Sequence, residues 1–182
     1  MYYIKSGRIK KYSVNYKGEE VILTIFRSGS FVPIAQAIGQ KVTNRFYYAA
    51  DTDLEVFVVP AREVSKMLLD QPDVMLALLQ RVNRGLDEFL GRALSLMAGS
   101  ALSRVVYEIF VEARRFGVEE ANNAIFIELN ERAIAARTGL TRETVNREIR
   151  KLKHLGAVSV ERRGLLVKDL GLLEKKLYKE LL

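Results

Sequence analysis

Three residues limit this chain more than any other feature: Ala135, Gly139 four positions later, and Val145 six beyond that. A small side chain lets two helices approach, a glycine takes the positive φ of a sharp turn, and an apolar residue points back into the core. Asn130 and Thr141 stand where side-chain oxygens can accept orphan backbone N–H groups at helix starts. The spacing predicts a helix over 131–138, a turn at Gly139-Leu140 and a second helix running from Thr141 to His154, the outline of a helix-turn-helix.

In that second helix Val145, Ile149 and Leu152 fall on the inner face, and Arg142, Glu143, Asn146 and Arg147 face outward in its first turns. Those outward groups can read bases in a major groove. Arginine donates twice to guanine O6 and N7, glutamate accepts from cytosine N4, and asparagine pairs with adenine N6 and N7. The plainer alternative is a solvated helix in which Glu143 and Arg147 form an ordinary i, i+4 pair. Behind it, strands at Ala157–Val160 and Leu165–Val167 flank Arg162-Arg163-Gly164, a hairpin whose tip would offer two guanidinium groups to a phosphate backbone. Thr141, Thr144, Lys151 and Lys153 are further candidates for backbone contact, and Arg150 could join them. The single histidine, His154, reads as a C-terminal capping or surface residue. Leu170 to Leu182 reads as a terminal amphipathic helix.

The charge distribution points the same way. The 29 Lys and Arg against 22 Asp and Glu give +7. Residues 1–130 hold 16 basic and 15 acidic side chains, whereas 131–182 hold 13 and 7. A basic end suggests a polyanion partner, the alternative being a solvated face with none.

The first 60 residues read as strands, cut by turn signals at Ser6-Gly7, Lys17-Gly18 and Ser28-Gly29. Val21 to Phe26 is the clearest strand, with others expected at Ile9–Val14, Arg45–Ala50 and Leu54–Val59. Turns every eight to twelve residues predict an antiparallel sandwich or roll. Ala61–Leu69 reads as a short helix, Gln71-Pro72 as a break, and 73–97 as a long helix. Met75, Leu79, Val82, Leu86, Phe89, Ala93 and Leu96 alternate at spacings of four and three along it, a heptad seam that favours a partner helix and hence a homodimer. The stripe could instead pack on its own β-domain, although Leu76, Leu78, Leu90, Leu94 and Met97 supply further apolar surface for that. Gly85 and Gly91 cost helix stability and would permit close approach of another helix. Gly99-Ser100 breaks the helical run and marks a domain boundary, helix resumes over 101–116, 117–124 reads as a loop, and Ile125–Leu129 as a strand.

Composition excludes several kinds of chemistry. With no cysteine and one histidine, disulfides, thiolate nucleophiles, iron–sulfur clusters and multi-histidine metal sites are ruled out. The longest apolar runs are about six residues, far short of the roughly 20 needed to span a bilayer, so no membrane association is expected and the chain reads as soluble and cytoplasmic. The carboxylate pairs Glu19-Glu20 and Asp51 with Asp53 have no nucleophile, metal ligand or phosphate loop beside them, so no catalytic residue is assigned and an enzyme is not expected.

Gly139-Leu140-Thr141-Arg142-Glu143-Thr144-Val145-Asn146-Arg147, with Lys151-Leu152-Lys153 and Gly156 behind it, resembles the DNA-binding signature of the Crp/Fnr transcription regulators. Tyr3 to Gly7, Gly18-Glu19-Glu20 and Gly29-Ser30-Phe31 are similar to landmarks of that family's effector domain, a cyclic-nucleotide-binding-type β-roll, and the long helix is similar to its dimer helix. The resemblance implies an α+β fold: an antiparallel β-roll over 1–70, incomplete at its N-terminus, a dimerisation helix over 71–98 and a winged helix-turn-helix domain over 99–182. It further implies a homodimer on double-stranded DNA, with one recognition helix per subunit in successive major grooves of a palindrome, half-sites about 10 bp apart or a multiple. Arg142, Glu143 and Arg147 match base-contacting positions of members that favour TGTGA-like half-sites, Asn146 matches a variable position, and RNA polymerase is a further partner in such a scheme.

Two departures qualify the resemblance. Where cyclic-AMP-binding members carry a glutamate for the ribose this chain has Ile34, and where they carry an Arg-Ser pair for the cyclic phosphate it has Asn44-Arg45. An apolar side chain cannot hydrogen-bond a ribose hydroxyl, and an arginine displaced by one on a strand faces the other way. No cyclic nucleotide is therefore expected, and with no cysteine and one histidine neither an iron–sulfur cluster nor haem is expected. The effector is left unknown, with Arg45 the only candidate residue for it. The resemblance further implies a start inside the roll, short of the family's first strands, with either a truncated roll whose edge another segment must cover or an incomplete start of the sequence. The competing expectation is a ligand-sensing or protein-interaction module whose winged helix no longer binds DNA.

Overall fold

The turn glycines at residues 7, 18 and 29 all take positive φ and divide the first part of the chain into strands as their spacing requires. A computed structural model describes residues 1–16, 18, 20–39 and 46–181. It forms two compact units, 1–83 and 84–182.

In the first unit, β1 (Tyr2–Ser6), β2 (Arg8–Val14), β3 (Glu20–Arg27), β4 (Phe31–Val32), β5 (Tyr47–Ala50) and β6 (Glu55–Val58) make two antiparallel three-stranded sheets, ordered β4-β1-β6 and β3-β2-β5. Tyr3 lies opposite Phe31 on one side and Phe57 on the other. Its ring is 4.9 and 6.4 Å from theirs, a cross-strand aromatic ladder. Ile4, Ile9 and Val32 are buried between the sheets, with Phe26, Tyr48, Leu54 and Val56 packed around them. Helix α1 (Ala61–Asp70) turns Val64 and Leu68 onto a second cluster with Ala37.

Helix α2 runs from Pro72 to Ala98. Proline is tolerated there because the first helical N–H has no partner within the helix. The break expected at Gln71-Pro72 is thus one residue wide. The two units divide within α2, whereas the helical run itself breaks at Gly99-Ser100.

The second unit is built on α3 (Ala101–Phe116), whose Ser100 cap accepts a hydrogen bond from the Ser103 N–H at 3.2 Å. Around it lie α4 (Glu131–Thr138), α5 (Arg142–His154), α6 (Leu170–Leu181) and a four-stranded sheet. That sheet is ordered β7-β8-β10-β9 and uses β7 (Val118–Glu119), β8 (Ile125–Ile127), β9 (Val158–Glu161) and β10 (Gly164–Val167). One core joins Val105, Val106, Ile109 and Phe110 of α3 to Ile134, Val145, Ile149, Leu152, Val158, Leu165 and Leu173. Two expectations need correction. The strand read as Ile125–Leu129 ends at Ile127, because Glu128 and Leu129 leave the ladder to lead into the Asn130 cap. The stretch read as a loop over 117–124 contains β7 and a 3-10 turn in which Asn122 and Asn123 take positive φ. Asparagine tolerates that conformation better than other non-glycine residues.

Candidate nucleic-acid interface

Asn130 caps α4 by accepting from the Ala133 N–H at 2.9 Å, and Thr141 caps α5 by accepting from the Thr144 N–H at 3.2 Å. Between them Gly139 has φ +67° and donates its N–H to the Ala135 carbonyl at 3.0 Å. That is the left-handed helix end the sequence anticipates. The turn is locked from below as well: Thr138, buried, donates its hydroxyl to the Ile134 carbonyl at 2.8 Å.

The inner face of α5 presses Val145, Ile149 and Leu152 into the core, each at most 2% exposed. With that face fixed, Arg142, Glu143, Arg147, Arg150, Lys151 and Lys153 stand in solvent, and Thr144 and Asn146 are half-buried. The fold thus sets Arg142, Glu143, Asn146 and Arg147 on one helix, away from its core-facing side. Thr141 contributes its hydroxyl to the cap, 3.1 Å from that of Thr144. His154 is exposed in the last helical turn, where Lys151 and Lys153 also face the carbonyl end.

The hairpin tip at Arg162-Arg163 joins β9 to β10, with Gly164 opposite Glu161. Both arginines are exposed. Arg163 reaches back to Glu128 at 3.3 Å, an exposed pair of small energetic value.

One residue of this surface escaped the reading of the sequence. Glu148 lies on the buried side of α5, at 2% exposure, and its carboxylate accepts from Arg147 Nε at 3.0 Å and from Lys151 Nζ at 2.6 Å. Burial pushes its pKa up, but the hydrogen bonds and charges of Lys151 and Arg147 outweigh that and hold it below the usual carboxylate range. The signal was available, because residue 148 shares the 145, 149, 152 face and a charge on such a face demands a partner. Arg147 is therefore held by its neighbour, and not by Glu143 as the alternative of a solvated helix would have it.

Of the seam along α2, Leu79, Val82, Leu86, Phe89 and Leu96 are exposed and Ala93 is half-buried. Met75 packs instead on the cluster of Ala37, Val64 and Leu68. Of the additional apolar residues, Leu78 joins that cluster, while Leu76, Leu90, Leu94 and Met97 stay exposed. Gly91 does admit a neighbouring helix: a Cβ there would collide with the Tyr107 ring of α3, whereas Gly85 faces nothing within 4 Å.

Arg45 and Asn44 lie outside the described residues. Ile34 sits in a 3-10 turn and packs on the apolar cluster of Ala37, Val64 and Leu68, so it offers no polar atom to a ribose. Among the described residues no three His, Cys, Asp or Glu side chains gather as a metal site, and no helix is long and apolar enough to cross a membrane.

A two-sheet roll, a long helix and a capped helix-turn-helix with an arginine-tipped hairpin define a DNA-binding transcription regulator. Residues 101–176 match the Crp-like helix-turn-helix domain and residues 1–71 the cyclic nucleotide-binding domain. The chain belongs to the Crp/Fnr family, whose members are transcription regulators and not enzymes. It is 27% identical over 169 residues to the global nitrogen regulator of Synechocystis sp., covering 92% of this chain and 75% of that one. It is 23% identical over 172 residues to the CRP-like cAMP-activated global transcriptional regulator of Mycobacterium tuberculosis, covering 93% and 75%. Among solved structures, a CooA mutant from Carboxydothermus hydrogenoformans shares the fold at a TM-score of 0.75 and 23% identity, over 96% of this chain and 77% of that one. FixK2 from Bradyrhizobium japonicum does so at 0.73 and 22%, over 96% and 85%.

Proposed function

We propose that the protein acts as a homodimer that reads a DNA palindrome with TGTGA-like half-sites, each subunit inserting the N-terminal half of α5 into a major groove. Arg142, Glu143, Asn146 and Arg147 are the base-contacting residues in this reading. Thr141, Thr144, Lys151, Lys153, Arg162 and Arg163 engage phosphates, and the α2 seam from Leu79 to Leu96 joins the subunits. The observation that carries it is the outward set on α5, presented by a helix whose opposite face is anchored by Val145, Ile149 and Leu152. A degenerate wing or recognition helix would have lost these cations, which disfavours a module that no longer binds DNA.

Effector recognition differs from that of the cAMP-activated relative, because Ile34 is committed to apolar packing. RNA polymerase is a partner of this reading through surfaces that no residue yet marks.

The test is fluorescence anisotropy on a duplex carrying two TGTGA-type half-sites against a scrambled duplex, at about 0.15 M salt without added ligand, since affinities depend on salt. A preference of roughly tenfold or more, reduced by Arg147→Ala, is the expected result. Equal weak binding to both duplexes would overturn the site assignment.

A further inference from the structure

Arg147 and Lys151 are one helical turn apart on the outward side of α5, and the Glu148 carboxylate lies beneath both. An arginine that reads guanine bidentately must present a planar fork at a fixed angle, and arginine's many rotamers work against this. Here the Nε–H is engaged by Glu148, leaving the terminal Nη1 and Nη2 groups to donate outward. Glu148 is itself only 2% exposed, on the side of α5 that carries Ile149 and Leu152, which restricts the freedom of its carboxylate. Arg147, whose side chain is 65% exposed, thus has a rigid tether at its base and a free end in solvent.

We propose that Glu148 is a positioning residue for base recognition: it orders the Arg147 guanidinium before DNA arrives and so raises sequence discrimination while lowering non-specific affinity. The second effect follows from charge. The trio holds two cations and one buried anion, so the carboxylate offsets part of the attraction for phosphate that Arg147 and Lys151 would otherwise exert. Buried charge on a recognition helix costs desolvation, and an apolar residue of similar volume at 148 would serve the core as well or better. The inference rests on the reading of Arg147 as a base contact.

The test is a double-mutant cycle on the full-length protein. Arg147→Ala, Glu148→Gln, Glu148→Met, Glu148→Asp and the Arg147→Ala/Glu148→Gln double variant are titrated with the TGTGA palindrome, with palindromes in which each G·C pair is replaced in turn by A·T, and with a scrambled duplex. Thermal melts establish that each is folded, and Glu148→Met keeps the core filled should the amide of Glu148→Gln destabilise it. Arg147→Ala is expected to lose roughly tenfold or more in discrimination at one base pair. Glu148→Gln and Glu148→Met are expected to lose roughly fivefold at that same pair, as arginine's rotamer freedom is then lost only on binding. Both should bind the scrambled duplex more tightly than the wild type, and Glu148→Asp should restore part of the discrimination. In the Arg147→Ala background Glu148→Gln should change discrimination no further.

A merely structural Glu148 would weaken binding to every duplex alike, and that result overturns the proposal. So does full discrimination in Glu148→Gln and Glu148→Met alongside its loss in Arg147→Ala, or an undiminished effect of Glu148→Gln once Arg147 is gone. If Arg147→Ala itself discriminates like the wild type, the base-contact reading fails and the positioning role falls with it.

Discussion

Glu108 is 1% exposed, yet Arg92 of α2 holds both its oxygens, Nε to Oε1 at 2.5 Å and Nη2 to Oε2 at 3.0 Å. Arg137 of α4 extends the chain of charges, 3.8 Å from Glu108 and 2.8 Å from Glu112, itself 1% exposed. Burial lowers the Arg92 pKa, but the Glu108 carboxylate more than reverses this and leaves it raised. Arg92→Ala would strand a carboxylate in the core, and a loss of about 3–5 kcal/mol is expected in urea unfolding. Replacing both partners, as Arg92→Met with Glu108→Leu, should cost much less, since Arg137 retains Glu112. An equal loss in both would show that the pair does more than satisfy its own charges.

Beside this pair, Tyr107 donates its hydroxyl to the Glu88 carbonyl at 2.6 Å, and burial pushes its pKa up to about 12. A tyrosine raised above its unfolded value of about 10 contributes stability that is fully present below pH 10 and is lost as pH climbs toward 12. At ~1.4 kcal/mol for each pH unit in that interval, the decline should be visible in melting temperature, and Tyr107→Phe should remove it. Identical alkaline profiles for the two proteins would contradict the burial argument.

Among the elements, α4 and α5 are set by features that depend on single residues, and those were the most legible in the sequence. Asn130, Gly139 and Thr141 act through caps and a positive φ, which local spacing announces without any knowledge of the fold. A Cβ at Gly139 meets nothing within 4 Å, so Gly139→Ala costs only the strain of φ +67°, about 1–2 kcal/mol. Thr141→Ala should cost about 1 kcal/mol by freeing the Thr144 N–H. Both losses are readable as shifts in the denaturant midpoint, and a value near zero for Gly139→Ala would mean that the turn relaxes. What the sequence did not disclose depends on tertiary context. The hydrogen bonds of Glu148, the place of Tyr107 against Gly91, and the packing of Ile34 on Val64 and Leu68 each join residues whose pairing no periodicity encodes. The end of β8 shifted for the same reason, because the cap at Asn130 competes with the ladder for the chain. Met75 shows the limit of pattern reading: it fits the heptad, but its side chain belongs to the roll.

At the scale of the molecule the dominant element is α2, a helix of 27 residues and so about 40 Å long. Leu79, Val82, Leu86 and Phe89 are each more than half exposed, with Leu76 and Leu90 close by in sequence at 55%. An exposed apolar row of this kind is what the proposed dimer would bury. The heptad spacing fits a second copy of the same helix, since a two-fold axis makes one self-complementary stripe suffice. Leu86→Asp with Phe89→Asp should therefore convert a dimer into a monomer in sedimentation velocity. The consequence for DNA is larger than any single contact. In the proposed dimer, two recognition helices would meet successive half-sites at an effective concentration in the millimolar range. Uncoupling them should weaken palindrome binding by roughly 10²–10⁴-fold while leaving affinity for an isolated half-site close to that of the wild type. A double variant that stays dimeric would place the interface elsewhere, and a monomer that keeps wild-type affinity for the palindrome would remove the need for two subunits on the DNA.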